Sequence, residues 1–280
     1  MNCAWQAYLK LLPQWIKDEV DIRGKDNLQE LRFRLERPVE MITKDGIKWI
    51  KRTITDSDLS VIVNAASSYS PWAAETVRCG YITAPGGHRV GICGEVAVVN
   101  GEIRSVRKLT SVSVRVARDF PGIALSCAGL EGSTLIIGSP GTGKTTLLRD
   151  LIRQISMADQ RCVAVVDERE EIFPQEKGSF AFFPGVCTDV LSGCGKKAGI
   201  EMVLRSMNPQ VIAVDEITTE ADCEALLYAG WCGVSLLATA HASNRQELFS
   251  RLAYKPLLEH GLFQNLLILE NDQSWHWERM

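Results

Sequence analysis

The chain has 280 residues, a formal net charge of −3, 46% hydrophobic residues and 23% charged residues. That length builds one large domain or two modest ones, and the balance is that of an ordinary soluble protein with no bulk charge to draw it to nucleic acid or acidic lipid. The longest apolar runs, such as 133–138 and 234–240, are too short to cross a bilayer, and the nine cysteines form no CxxC pair, which favours reduced thiols over a zinc site.

The opening segment, MNCAWQAYLKLLPQWIKDEV, is amphipathic and interrupted by Pro13. It lacks a basic start, an apolar block and a small-residue cleavage site, so it reads as a peripheral helix of a cytoplasmic protein. Residues 28–35 read as a short helical piece, and 57–68 as a helix whose N-terminus Asp56-Ser57-Asp58 can cap. Short alternating segments follow: Tyr81-Ile82-Thr83, a Pro85-Gly86-Gly87 turn, then the strand-like runs HRVGICGEVAVV and GEIRSVRKL around Asn100-Gly101, a strong hairpin signal. A further strand, SVSVRVAR, alternates with arginine on its outer positions. Residues 1–122 therefore read as a small α+β domain, ended by the linker Asp119-Phe120-Pro121-Gly122.

In 123–280, apolar strands at 134–137, 162–166, 211–214 and 235–239 alternate with helices at 144–157, 197–207 and 219–229. Unbroken apolar strands separated by helices predict an α/β domain with a mainly parallel sheet covered on both faces.

The sharpest motif is Gly138-Ser139-Pro140-Gly141-Thr142-Gly143-Lys144-Thr145, followed by Thr146. It fills G-x-x-x-x-G-K-[ST] between a strand and a helix, the context it requires. Its glycines let successive N–H groups point at phosphate oxygens, and the next helix offers its positive end. Lys144 is expected on the β- and γ-phosphates and the Thr145 hydroxyl on magnesium. Two strands end in acids. After VIAV come Asp215, expected to hold magnesium, and Glu216, a candidate base. After VAVV come Asp167 and Glu168, expected next to the phosphate-loop strand, with Glu168 the second candidate base. Residue types alone leave the choice between Glu216 and Glu168 open.

The run LLATAH puts His241 at another strand tip, placed to report loss of the γ-phosphate. Arg205 either contacts phosphate or the acidic loop, or makes a salt bridge at a helix end. Arg78, Arg89, Arg115 and Arg118 are candidate fingers across a subunit boundary, with surface charge as the plainer reading. Lys196-Lys197, after Gly193-Cys194-Gly195, read as a mobile basic turn.

The order of phosphate loop, Asp-Glu-Arg box, LR-x-x-x-P, acidic strand and T-A-H resembles the secretion ATPases of type II and type IV systems. SPGTGKTTLLRD, VVDERE, TDVLSGCGKKAGIEMVLRSMNP, IAVDEI and LLATAH, with GGHRVGICGEV and SVSVRVARDFPG, resemble more closely the stage III sporulation AA family of endospore-forming bacteria. The resemblance implies a RecA-like P-loop ATPase core behind a smaller N-terminal domain, working as a homo-oligomeric, hexameric ring with ATP as substrate and magnesium as cofactor. It also implies membrane-protein partners in a channel between mother cell and forespore, and a place at the cytoplasmic face of the mother-cell membrane. Two departures stand out. The secretion ATPases read Gly-Glu where this chain has Asp215-Glu216, and their larger members' four-cysteine zinc module is absent. The competing readings are a nucleic-acid motor, which would need basic pore loops, and a nucleotide-gated scaffold without turnover.

Overall fold

A computed structural model of the chain describes residues 1–67, 80–127, 131–176, 178–270, 272 and 274–280; Arg78 lies outside them. The chain forms two compact units, one of Met1–Asp119 with Pro174–Ala181 and one of Phe120–Phe173 with Phe182–Met280. Among the described residues no helix is long and apolar enough to cross a membrane.

The first unit begins with α1 (Trp5–Lys10) and α2 (Gln14–Arg23), followed by β1 (Leu28–Arg34), β2 (Val39–Thr43) and β3 (Gly46–Ile50). After α3 (Asp56–Ser67) come β4 (Tyr81–Ala84), β5 (His88–Val99) and β6 (Glu102–Arg115). The strands form an antiparallel sheet in the order β3-β2-β1-β6-β5-β4. Leu31, Phe33, Val90 and Val114 pack with Tyr8 of α1, Leu12 of the turn that follows, Ile16 of α2, and Leu59 and Ile62 of α3.

Segment 28–35, expected helical, is instead a strand for a local reason. A register shift between Leu28 and Glu30 breaks the alternation, so Leu28, Leu31 and Leu35 mimic helical spacing. The helix expected at 57–68 is present, but Thr55 caps it: the Asp58 N–H donates to Thr55 Oγ1 at 3.3 Å while Asp58 Oδ2 accepts from the Thr55 N–H at 3.0 Å. The runs GEIRSVRKL and SVSVRVAR meet in one continuous strand, β6, which ends at Arg115, and Asn100 and Gly101 both take the positive φ that their tight hairpin turn demands (54° and 81°).

The second unit holds β7 (Thr134–Gly138), α4 (Lys144–Ala158), β8 (Val163–Asp167), β11 (Thr188–Ser192), α5 (Lys196–Ser206), β12 (Val211–Val214), α6 (Glu220–Trp231) and β13 (Ser235–His241). Short helices α7 (Arg245–Ser250) and α8 (Lys255–Glu259) lead to β14 (Asn265–Leu269) and β15 (Trp275–Arg279). Two-residue strands β9 (Gln175–Glu176) and β10 (Ser179–Phe180) pair with each other in the segment that clusters with the first unit. The larger sheet runs β11-β8-β12-β13-β7-β14-β15 and is parallel apart from β15. The mainly parallel α/β class read from the sequence is therefore the observed one.

One sequence expectation is overturned here. The acidic strand β8 does not flank the phosphate-loop strand β7; β12 and β13 lie between them. The crossover through α4 skips two strand positions that the later strands fill, so chain succession does not give adjacency. The neighbours of β7 are β13 and β14, which places His241 opposite Gly138 in register.

His88 ties the first unit together. It is fully buried, its Nδ1 accepts from the Ala117 N–H at 3.0 Å, and its Nε2 therefore donates to the Ala4 carbonyl at 3.0 Å. Burial lowers its pKa from 6.5 to about 4. A depressed folded value means that the stabilisation is complete above pH 6.5 and is lost as pH falls through about 4. Denaturant melts should therefore show a His88-dependent loss of about 3 kcal/mol between pH 7 and pH 4. His88→Gln should be less stable at pH 7 and lack that portion of the pH dependence.

Candidate functional site

Parallel strands deliver their carboxyl ends to one edge of a sheet, and that edge is where ligands bind in open α/β folds. Here it carries Gly138 on β7, Asp167 on β8, His241 on β13 and, just past β12, Asp215 and Glu216. Gly138 admits no side chain, because a Cβ there would lie 2.6 Å from Thr142 Oγ1 and 3.0 Å from the Leu269 carbonyl. Gly141 and Gly143 take φ of 82° and 101° with open space where a Cβ would stand, so the loop curls ahead of α4. The Thr142 hydroxyl donates to the Ser139 carbonyl at 2.9 Å and closes the curl.

Lys144, the first residue of α4, is buried, and its ammonium folds back onto the loop. It donates to the Gly138 carbonyl at 2.9 Å, to the Ser139 carbonyl at 3.0 Å and to His241 Nδ1 at 3.1 Å. Because Nδ1 accepts, the imidazole carries its proton on Nε2, which donates to Glu216 Oε1 at 2.9 Å. Burial draws the Lys144 pKa below its usual value, while the Glu216 and Asp215 carboxylates pull it back up. Thr145 donates to Asp215 Oδ2 at 3.0 Å and Thr239 to Asp215 Oδ1 at 2.8 Å, so two threonines on neighbouring elements fix that carboxylate. Tyr254 braces the far side: its hydroxyl donates to the Ile217 carbonyl at 3.3 Å and accepts from the His241 N–H at 3.4 Å.

A crevice beside this cluster is lined by Asp167, Glu168, Lys196, Asp215, Glu216 and Thr218. Glu168 is held by Lys196 at 2.6 Å. Asp167 has turned inward: it accepts from the backbone N–H groups of Glu171, Ile172 and Phe173 at 2.8, 3.0 and 2.8 Å. Burial pushes its carboxyl up to about 7 against the pull of those donors, and the nearby Asp215 and Glu170 charges add to the rise. Arg149 of α4 grips the same loop from its carbonyl side, donating to Ile172 at 2.5 Å and to Glu171 at 2.9 Å.

Of the residues singled out from sequence, Lys144, His241 and Glu216 form one bonded series and Thr145 and Asp215 a second, and Glu168 stands in the crevice that Asp215 and Glu216 also line. Arg205 is not among them. Its side chain is 78% exposed and pairs with Glu201 at 3.4 Å one helical turn away, the helix-end salt bridge that was its alternative reading. The finger candidates in the first unit are engaged there: Arg118 with the Lys25 and Leu28 carbonyls, Arg115 with Glu30 at 3.5 Å, and Arg89 over the Tyr81 ring at 4.6 Å. Lys196 is no mobile turn but a buried residue opening α5. Sequence reading missed Thr239, Arg149 and Tyr254; for Thr239 a polar residue inside an apolar strand was an available signal.

Comparison with known proteins shows the family and the fold. The family model described as sporulation stage III, protein AA, matches residues 10–276. The stage III sporulation protein AA of Bacillus subtilis (strain 168) is 38% identical over 273 residues, covering 93% of this chain and 89% of that protein. Among solved structures, the Legionella pneumophila ATPase DotB superposes with a TM-score of 0.59 at 18% identity, over 96% of this chain and 80% of its own. The pilus retraction motor PilT with bound ADP gives 0.59 at 14% identity, over 90% and 76%. At these identities the two structures establish the fold, that of the RecA-like secretion ATPases.

The inward role of Asp167 predicts a structural phenotype. Asp167→Ala strands three backbone donors in the loop after β8 and should cost about 2–3 kcal/mol in denaturant melts. A loss under 0.5 kcal/mol, the size of an ordinary surface substitution, would contradict it.

Proposed function

The chain belongs to the stage III sporulation protein AA family, and from that footing we propose that it binds ATP with magnesium and hydrolyses it, powering a membrane channel or secretion-like complex during endospore formation. The observation that carries this reading is the bonded series Lys144–His241–Glu216 beside Thr145–Asp215, set against a glycine-curled loop at the tips of parallel strands. The chemistry is assigned to residues 123–280.

The acceptors that Lys144 now uses are weak neutral groups, two carbonyls and one imidazole nitrogen. A triphosphate offers anionic oxygens to the same ammonium, so that both partners of the bond carry charge rather than the donor alone. The loop glycines 141 and 143 leave the backbone open for N–H groups to face phosphate, with the N-terminus of α4 behind them. The donor set for magnesium fits: a hydroxyl and a carboxylate, Thr145 and Asp215, are hard oxygen ligands already 3.0 Å apart. Once bound, the ion supplies charge neutralisation on the phosphates.

Glu216 is the better placed base. Its Oε1 accepts from His241, which fixes the carboxylate and leaves the second oxygen to accept a proton from water. In-line attack forms the new oxygen–phosphorus bond as the bond to the β-phosphate oxygen breaks. Its electron pair leaves on ADP and the water proton passes to Glu216. Glu168, committed to Lys196 at 2.6 Å, serves as a fixed charge. Through Nδ1 and Nε2, His241 senses both Lys144 and Glu216, which suits it to relay the state of the γ-phosphate. The likeness to secretion ATPases supports a homo-oligomeric, hexameric ring that meets the membrane peripherally, on the cytoplasmic side, through membrane-protein partners.

Lys144→Ala should reduce ATP hydrolysis on the order of 10²–10³-fold and weaken nucleotide binding; an unchanged rate sinks the proposal. Glu216→Gln should retain bound ATP while turnover falls on the order of 10²–10⁴-fold, and Glu168→Gln should lose less. The reverse ranking would reassign the base. Light scattering should show a mass rising from 31.0 kDa toward a sixfold multiple when ATP is added; a monomer at every nucleotide concentration contradicts the ring.

A further inference from the structure

Taking a lysine out of water costs several kcal/mol unless acceptors meet it, so a buried ammonium marks a place where carboxylates have been arranged. Lys196 is 7% exposed and opens α5, the end of a helix where the dipole disfavours a cation. Two carboxylates from different parts of the sheet offset that cost. Glu168, in the loop after β8, meets its Nζ at 2.6 Å, and Asp222, on the first turn of α6, lies at 4.0 Å.

Asp222 is not an ordinary helix residue. Its Oδ2 accepts from the Thr218 N–H at 2.9 Å, from the Thr218 hydroxyl at 3.2 Å and from the Thr219 N–H at 3.0 Å. These bonds order the loop immediately after Asp215-Glu216. Lys196 therefore stands between the carboxylate of the acidic box and the carboxylate that shapes the exit from the second acidic strand. Glu168, Lys196 and Thr218, the last held by Asp222, line one crevice with Asp215 and Glu216.

We propose that Lys196 is a positioning residue for hydrolysis, an internal cation that holds the loop bearing Glu168 and the loop following Glu216 at a fixed separation across the phosphate crevice. This rests on the hydrolysis reading above. The tie also explains how the crevice accepts a polyanion. Without Lys196, Glu168 would face Asp215 and Glu216 with nothing to hold it away from them, and like charges would push the two strand tips apart. Lysine suits the task because its single ammonium reaches both loops from a helix start.

The test is a steady-state comparison on the full chain of Lys196→Met, Lys196→Arg, Glu168→Gln and the Lys196→Met/Glu168→Gln pair, each checked for folding by denaturant melt. Lys196→Met should lower kcat about 10–100-fold, the scale of a small misplacement at a reacting centre, with KM within about threefold. Lys196→Arg should recover most of the lost kcat, and the double variant should be no slower than its slower single parent. Losses that multiply, or a lowered melting point with kcat intact, would overturn the assignment while leaving hydrolysis standing. Should Lys196→Met not fold, Lys196→Arg still decides: retained kcat supports the tie and a lost one removes it. A wild-type chain without turnover brings down the hydrolysis reading and this inference together.

Discussion

A buried ammonium must find acceptors, and the way Lys144 finds them organises the strand edge of the second unit. Its three partners are two carbonyls of its own loop and a ring nitrogen from the next strand. That third bond exists only because β13 pairs with β7 in a register that sets His241 opposite Gly138. The ring then turns its other nitrogen to Glu216, so one local need for hydrogen-bond acceptors reaches across two strand tips. Asp215 is fixed in parallel by Thr145 below and Thr239 beside it. The cluster is polar, half-enclosed and satisfied, the condition under which such networks hold one geometry.

Strand order supplies the second constraint. Placing β12 and β13 between β8 and β7 puts the two acidic strands side by side, with one strand between β12 and β7 and two between β8 and β7. Asp215 can then reach Thr145 while Glu168 stands farther along the edge, where Lys196 meets it. The loop after β8 would otherwise be free to move. Asp167 collects its N–H groups and Arg149 its carbonyls, so the segment is pinned from the sheet and from α4 at once. The helix that starts at the phosphate loop thereby also steadies the acidic box.

How much of this was legible in the sequence follows from the range of each interaction. The phosphate loop was readable because glycine spacing and lysine position are local requirements met within eight residues. The hairpin at Asn100-Gly101 and the helices of the second unit were readable for the same reason, turn chemistry and periodicity acting over a few residues. β1 was not, because its bulge replaces alternation with a helix-like spacing. β14 and β15 were left unassigned; NLLIL is a short apolar run that periodicity alone cannot give to a strand over a helix. The sharpest failures are long-range. Lys196 looked like a solvated turn because its partner Glu168 lies 28 residues earlier, and only the pairing of β11 with β8 brings the two together. Arg205 looked adjacent to the acidic strand in sequence, but its helix directs it outward to Glu201.

The resting arrangement of Lys144 bears on how binding and chemistry are joined. Any anion that takes over the ammonium must draw it from His241 Nδ1 and leave that nitrogen to find another donor. A ring that loses the donor at Nδ1 is free to turn, and a turn alters the bond that Nε2 makes to Glu216. If the proposed nucleotide binds at the curled loop, it would thus be coupled to the carboxylate through a single ring. The coupling is bounded by the difference between the bonds exchanged, because a ligand shifts an equilibrium only by its differential interaction with the two states. A bond between two charged groups replaces one in which only the donor is charged, a difference on the order of 1 kcal/mol. That is enough to bias a side-chain arrangement and too little to drive a domain motion. On the proposed reading, any larger movement would have to draw on the further N–H groups of the curled loop, which shares one strand edge with the ring.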